Sequence, residues 1–367
     1  RDAAGKPDGG VFGEAQGMIY SVIREDQSIA RRRELLRSAM AHANGLGVTQ
    51  IGALETQLGL HDLLIPMARE DLLTLRIDAT ISSAATRVDQ WRPTLLWAAA
   101  NREPGPGLRI IGFKGYMDGS LGSRNAWQTE PYLDDPGNPE NTGNPRTMAV
   151  TGALPELIAL GASMGLQPAV HAIGDQANHL LLDWYGDLPE AQRRALRPRI
   201  EHAQHLLPED VSRFGALGVI PSMQPWHKAD DGRYAEQRLG PERVKTSYAF
   251  RGLLDSGAAL AFGSDWPVVT VNPFLGMHAA VNATTLDGAV FVPEQSISIE
   301  EALHAYTRAA AFCLHSEAQT GAIREGFEAS FVILDRDLLA IDPSEIGEVR
   351  PVLTCVRGEV VFESDDR

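Results

Sequence analysis

The chain has 367 residues, 44% of them hydrophobic, and a formal net charge of −15, which is enough apolar content for a large core in one barrel plus a small satellite domain. The acidic balance argues against nucleic acid and against an anionic membrane surface as partners, since both call for basic patches. No apolar run approaches the ~20 residues of a membrane span, and the two cysteines, Cys313 and Cys355, form no CxxC pair and read as core residues. No signal peptide is visible, so a cytoplasmic location is expected, with a leader upstream of Arg1 left open.

In chain order, residues 1–16 are rich in Gly and Asp and read as a loop. Residues 28–44 have helical composition, with Leu35, Leu36, Met40 and Ala41 at helical spacing and Arg31, Arg32 and Arg33 as a solvated flank. Residues 47–51 and 75–81 read as strands, with a helix over 61–71 between them. The run Ile110-Ile111-Gly112-Phe113 reads as a strand buried on both faces; it ends in Lys114 and then in the turn signals Asp118-Gly119-Ser120 and Gly122-Ser123. Helices over 155–164 and 178–185, strands at 166–171, 199–202, 218–223 and 260–265, and a helix over 300–314 continue the alternation. Such alternation predicts parallel strands with crossover helices, a barrel or doubly wound sheet. Long loops are expected at 125–148 and 224–243, and β-rich segments at 321–334 and 352–362.

A lysine at the end of a buried strand is ordinarily a snorkelling side chain or half of a salt bridge. Here three later segments share its layout. LQPAVHAIGD, RIEHAQH and LAFGSD each set a polar residue, His171, His202 and Asp265, where a short apolar strand gives way to a loop. In a parallel barrel that is the C-terminal face, where active sites are built. Taken singly, each histidine is a core or surface residue; as a matched series they read as ligands. Neutral imidazole and carboxylate are the usual nitrogen and oxygen donors to a divalent metal, and a lysine joins them only after CO2 has turned its amine into an anionic carbamate.

The motifs GFKGYMDGSLGSR, VHAIGD, RIEHAQ, MQPWH, FGSDWPV, AYTRAAA and REGFEASFVILDRD, in this order and spacing, resemble the amidohydrolase superfamily and, within it, the branch of the N-substituted formamide deformylases. The resemblance runs over residues 1–362. It implies a metal-dependent hydrolase of amide-like C–N bonds on a TIM-like (β/α) barrel, with zinc the first choice of metal. Carboxylated Lys114, His171 and His202 would be the ligands, and Asp265 a ligand and the catalytic proton acceptor. The family's first strand ends in His-x-His, and that motif is absent from this chain. The expectation is therefore a TIM-like barrel lacking its first strand over residues 1–316, with a partial C-terminal β domain, sandwich-like, over 317–367. Bare strand edges would favour pairing with a second copy, a homo-oligomer. The competing expectation is an impaired or inactive barrel of this type with a binding or structural role.

Asp175 and His227 are further candidates, either for contact with a small-molecule substrate or as groups behind the ligands, and Asp118 with Ser120 for lining the pocket, where a turn-forming role is an equal alternative. His205 lies close enough to His202 to be confused with it, and the RIEHAQ match selects His202. The remaining histidines fall on expected helices or helix edges and read as structural. No GxSxG nucleophile elbow, no GxGxxG after a strand and no GxxxxGK[ST] occurs, which sets aside serine-hydrolase, dinucleotide and P-loop readings.

Overall fold

The computed structural model describes residues 28–365; the segment read above as an opening loop lies outside them. Seven strands form one parallel sheet in sequence order: β1 (Gln50–Thr56), β2 (Arg76–Ser82), β3 (Leu108–Tyr116), β4 (Gln167–Ala172), β5 (Arg199–His202), β6 (Ile220–Met223) and β7 (Ala261–Phe262). The sheet curls into an open barrel wall, and among the described residues β1 and β7 are its two edges. A second, antiparallel sheet has the order β10 (Glu359–Glu363), β9 (Pro351–Val356), β8 (Phe331–Leu334). The seven parallel strands and the small C-terminal sheet match the expected fold class.

Helices cross between strands: α1 (Ile29–Gly45) before β1, α2 (Val88–Ala100), α3 (Ala153–Ser163), α4 (Asp175–Gly186), α5 (Pro208–Leu217), α6 (Pro225–Asp231) and α7 (Phe250–Asp255). Ser28 caps α1 by accepting from Arg31 N at 3.2 Å, and Ser298 with Glu301 closes a capping box on the helix Ile299–Tyr306. β2 is buried on both faces almost throughout, as a strand between a helix layer and a barrel interior must be.

The alternation of side chains along β3 decides where Lys114 points. Phe113 is fully buried and packs against Trp91 of α2 with ring centroids 6.4 Å apart. A Cβ built on Gly161 of α3 would lie 2.2 Å from the Phe113 ring, and one on Gly115 would lie 2.9 Å from Leu154 of the same helix. Residues 113 and 115 therefore face the helices, and Lys114 faces the barrel interior.

Several elements differ from expectation. The helix over 300–314 is two, Ile299–Tyr306 and Arg308–Cys313, broken at Thr307 (φ −118°, ψ −83°). The segment 352–362, by contrast, is β-structure as expected, a hairpin that turns at Arg357 and Gly358, both at positive φ. The supposed loop 224–243 holds α6 and the short helix Ala235–Leu239. Helix α2 escaped notice because Pro93 sits inside it, and proline is ordinarily read as a breaker.

Candidate metal centre

The polar residues singled out above gather at the C-terminal rim. Lys114 and Tyr116 lie on β3, His171 on β4 and His202 on β5, with Tyr116 in register with His171 and Ala172 with His202. Asp265 follows β7 directly, and His227 sits in the first turn of α6, just after β6. His202 (φ 82°), Ala203 (φ 45°) and Asp265 (φ 58°) hold left-handed backbone conformations. Such positions cost about 1–3 kcal/mol apiece and concentrate at functional sites.

His171 and His202 meet edge to face with ring centroids 4.5 Å apart, and His202 stacks on His227 at 5.9 Å. His202 is buried, and its Nδ1 lies 2.7 Å from Gln224 Oε1. A carbonyl-type oxygen can only accept, so Nδ1 carries the hydrogen and Nε2 keeps a free lone pair. Burial, with the neighbouring His171, Lys114 and His227, holds the ring well below the usual imidazole range, hence neutral. His171 is fixed in the opposite sense: its Nε2 lies 3.2 Å from both Gly119 O and Asp118 Oδ1. With two acceptors there, Nδ1 is the nitrogen left to ligate. A second partner that fixes the tautomer is the usual support of a ligand histidine.

Lys114 is 1% exposed and its Nζ has no hydrogen-bond partner among the described residues. Burial pulls its pKa down to about 8, against the pull of Glu201, Asp265 and Asp118, which favour the cation. Glu201 is itself engaged, with Arg199 Nε at 2.6 Å and Ser222 Oγ donating at 2.7 Å. Asp265 is pushed up by burial, while His227, Lys114 and His171 act the other way. His227 Nε2 stands 3.8 Å from Asp265 Oδ2.

Asp118 and Asp175 also hold main-chain groups of the surrounding frame. Asp118 is fully buried and accepts main-chain N–H groups from Trp127 (2.8 Å), Gly174 (2.8 Å) and Ile173 (3.1 Å) besides facing His171. Asp175, at the start of α4, accepts from Thr129 N at 2.6 Å and faces Arg243 at 3.8 Å. Through these carboxylates the segment after Asp118 is sewn to β4 and α4. His205 is bonded to Ser247 Oγ at 2.8 Å. Gln224 and Glu201 were not singled out in the sequence; their roles rest on contacts across strands that no local pattern announces.

A curled parallel sheet of seven strands in sequence order, with imidazole and carboxylate groups on its C-terminal rim, is the wall of a (β/α)-barrel. The chain belongs to the amidohydrolase family, whose model matches residues 1–362. It is 36% identical over 353 residues to Protein LONG AFTER FAR-RED 3 of Arabidopsis thaliana, covering 91% of this chain and 58% of that protein. It is 30% identical over 373 residues to the putative amidohydrolase YtcJ of Bacillus subtilis (strain 168), covering 99% and 67%. With the N-substituted formamide deformylase of Arthrobacter pascens it shares 27% over 210 residues, 57% of this chain and 39% of the other. An uncharacterized metal-dependent hydrolase from Pyrococcus furiosus superposes with a TM-score of 0.75 at 32% identity, covering 90% of this chain and 65% of that one. The chain thus spans roughly two fifths to two thirds of the length of these curated relatives.

Proposed function

We propose that this chain carries the catalytic barrel of a metal-dependent hydrolase that cleaves C–N bonds in small amide-like substrates. The ion, zinc by first choice, is held by His171, His202 and Lys114 as its CO2-derived carbamate, with Asp265 beside it. What supports the reading is that the His171 and His202 rings meet with centroids 4.5 Å apart and that Lys114 and Asp265 lie close enough to act on each other's charge. The donor set suits such an ion: Lys114 Nζ is buried with no hydrogen-bond partner among the described residues, and the contacts of His171 and His202 leave one nitrogen free on each. When bound, a divalent ion supplies Lewis acidity toward the substrate carbonyl and lowers the pKa of water toward ~7.

The remaining chemistry falls to the chain's own residues. Asp265 takes the proton from the attacking water and returns it to the leaving amine, and its upward-shifted carboxyl suits that exchange. Gln224 and Asp118 hold the two imidazoles in fixed tautomers through the cycle. The similarity to the Arthrobacter enzyme makes N-substituted formamides the first substrates to assay.

The chain loaded with zinc and bicarbonate should hydrolyse such amides, and Lys114→Ala should lose most of its bound metal, with short carboxylic acids restoring part of it. Metal uptake below about a tenth of an equivalent by the unmodified chain would favour a non-catalytic barrel instead, because a three-ligand site binds tightly.

A further inference from the structure

The proposed ligand set leaves the imidazole nearest Asp265 at the rim, His227, without a task. His227 is 9% exposed, and its Nε2 has no hydrogen-bond partner among the described residues. That nitrogen faces Asp265 Oδ2 across 3.8 Å, too far for a hydrogen bond. One donor atom from each of His202, His227 and Asp265 lies within 4.8 Å of the others. Donors bound at ~2.0–2.1 Å to one tetrahedral ion sit about 3.4 Å apart, so small side-chain rotations bring the three into range.

We propose that His227, with His202 and Asp265, forms a divalent transition-metal site of this chain, and that His227 is a metal ligand rather than a substrate contact. Three features support it. His202 is held by Gln224 with Nε2 free. The side-chain amide of Gln204 lies 3.3 Å from His227 Nδ1, and its Oε1 has no hydrogen-bond partner among the described residues. Turned with that oxygen toward the ring, the amide takes the Nδ1 hydrogen and leaves Nε2 as the donor nitrogen, so a glutamine orients each imidazole. Finally, α6 begins at Pro225 directly after β6, so His227 is carried on a rigid first turn beside the rim rather than on a free loop.

This inference rests on the reading of the rim as a metal centre but changes its ligand set. His202 has one free nitrogen, and one nitrogen serves one ion, so the set with His227 and Asp265 competes with the set of Lys114 and His171 for it. Calorimetric zinc titration of the unmodified chain, His227→Ala and Lys114→Ala, each checked for unchanged circular dichroism without metal, separates the two. His227→Asn serves as a second, less disruptive variant. Cobalt absorption spectra report the nitrogen ligands directly.

The expected result is one equivalent bound by the unmodified chain, with affinity falling by about tenfold or more in both His227 variants, and an altered cobalt spectrum. Zinc affinity and cobalt spectrum unchanged in both His227 variants would overturn the inference; a loss confined to Lys114→Ala would do so while leaving the hydrolase reading intact. Loss in His227→Ala with full binding by Lys114→Ala would uphold the inference and remove Lys114 from the ligand set. Absence of zinc binding by the unmodified chain would overturn both.

Discussion

His205 shows how a single buried group ties stability to pH. Burial, with the nearby Arg243, pushes its pKa down from 6.5 to about 3, so the folded chain keeps it neutral while the unfolded chain takes up a proton. Between those two values the unfolded state binds more protons, and stability falls as pH drops through the window, by about 1.4 kcal/mol per pH unit for one group. Urea unfolding at a series of pH values should show that slope, and His205→Asn should flatten it. Asp118 is a second residue whose role is local. Its carboxylate is the acceptor for three main-chain N–H groups drawn from two segments. Removing it leaves buried donors unpaired at about 1–3 kcal/mol each, so Asp118→Ala should lower the urea midpoint far more than Asp118→Asn, which keeps an acceptor oxygen.

At the scale of elements, the position of Lys114 depends on how closely α3 approaches β3. Gly161 allows it, because any Cβ there would strike the Phe113 ring at 2.2 Å. Gly161→Val should push the strand and helix apart and cost about 1–3 kcal/mol as an overpacking change, read as a fall in melting temperature. The same change should lower metal uptake, since Phe113 adjoins Lys114. The long segment after Asp118 is an ordered cover held from several sides. Arg238 donates to Leu121 O at 3.1 Å, Arg243 to Pro131 O and to Gln128 Oε1 at 3.0 Å each, and Leu133 N to Arg238 O at 2.8 Å. Arg243→Ala should therefore raise the rate of limited proteolysis within 125–146 while cleavage elsewhere stays unchanged.

Across the whole molecule, polar contacts join the C-terminal segment to the barrel wall, with Asn44 anchored on the barrel side. Thr354 of β9 donates to Asn44 O at 2.7 Å, Asn44 Nδ2 donates to Val48 O and Thr74 O at 3.1 Å each, and Arg76 of β2 pairs with Glu328 at 3.1 Å. We place the boundary between the two units near residues 316 and 317, and expect these contacts to make them unfold together. Scanning calorimetry should give one transition, and Asn44→Ala should lower it by the equivalent of about 2–3 kcal/mol through the partners it strands. Two resolved transitions would show that the units are energetically separate. No helix among the described residues is long and apolar enough to cross a membrane.

The sequence by itself determined the repeating pattern of this chain: apolar runs that end in Lys114, His171, His202 and Asp265, separated by helical segments, are legible because strand burial and helix periodicity are local properties. The seven parallel strands and the family followed from that. What only the tertiary structure decided is which side chains meet. Asp118 and Asp175 were candidates for the site on sequence position alone; that Asp118 accepts from three main-chain N–H groups and Asp175 from Thr129 N depends on how the segment after Asp118 folds back on β4 and α4. Gln224 gained a role only because β5 and β6 lie side by side, and the 3.8 Å approach of His227 to Asp265 depends on where α6 starts after β6. Contacts between residues distant in sequence are set by register and by the curl of the sheet, and a linear pattern carries neither.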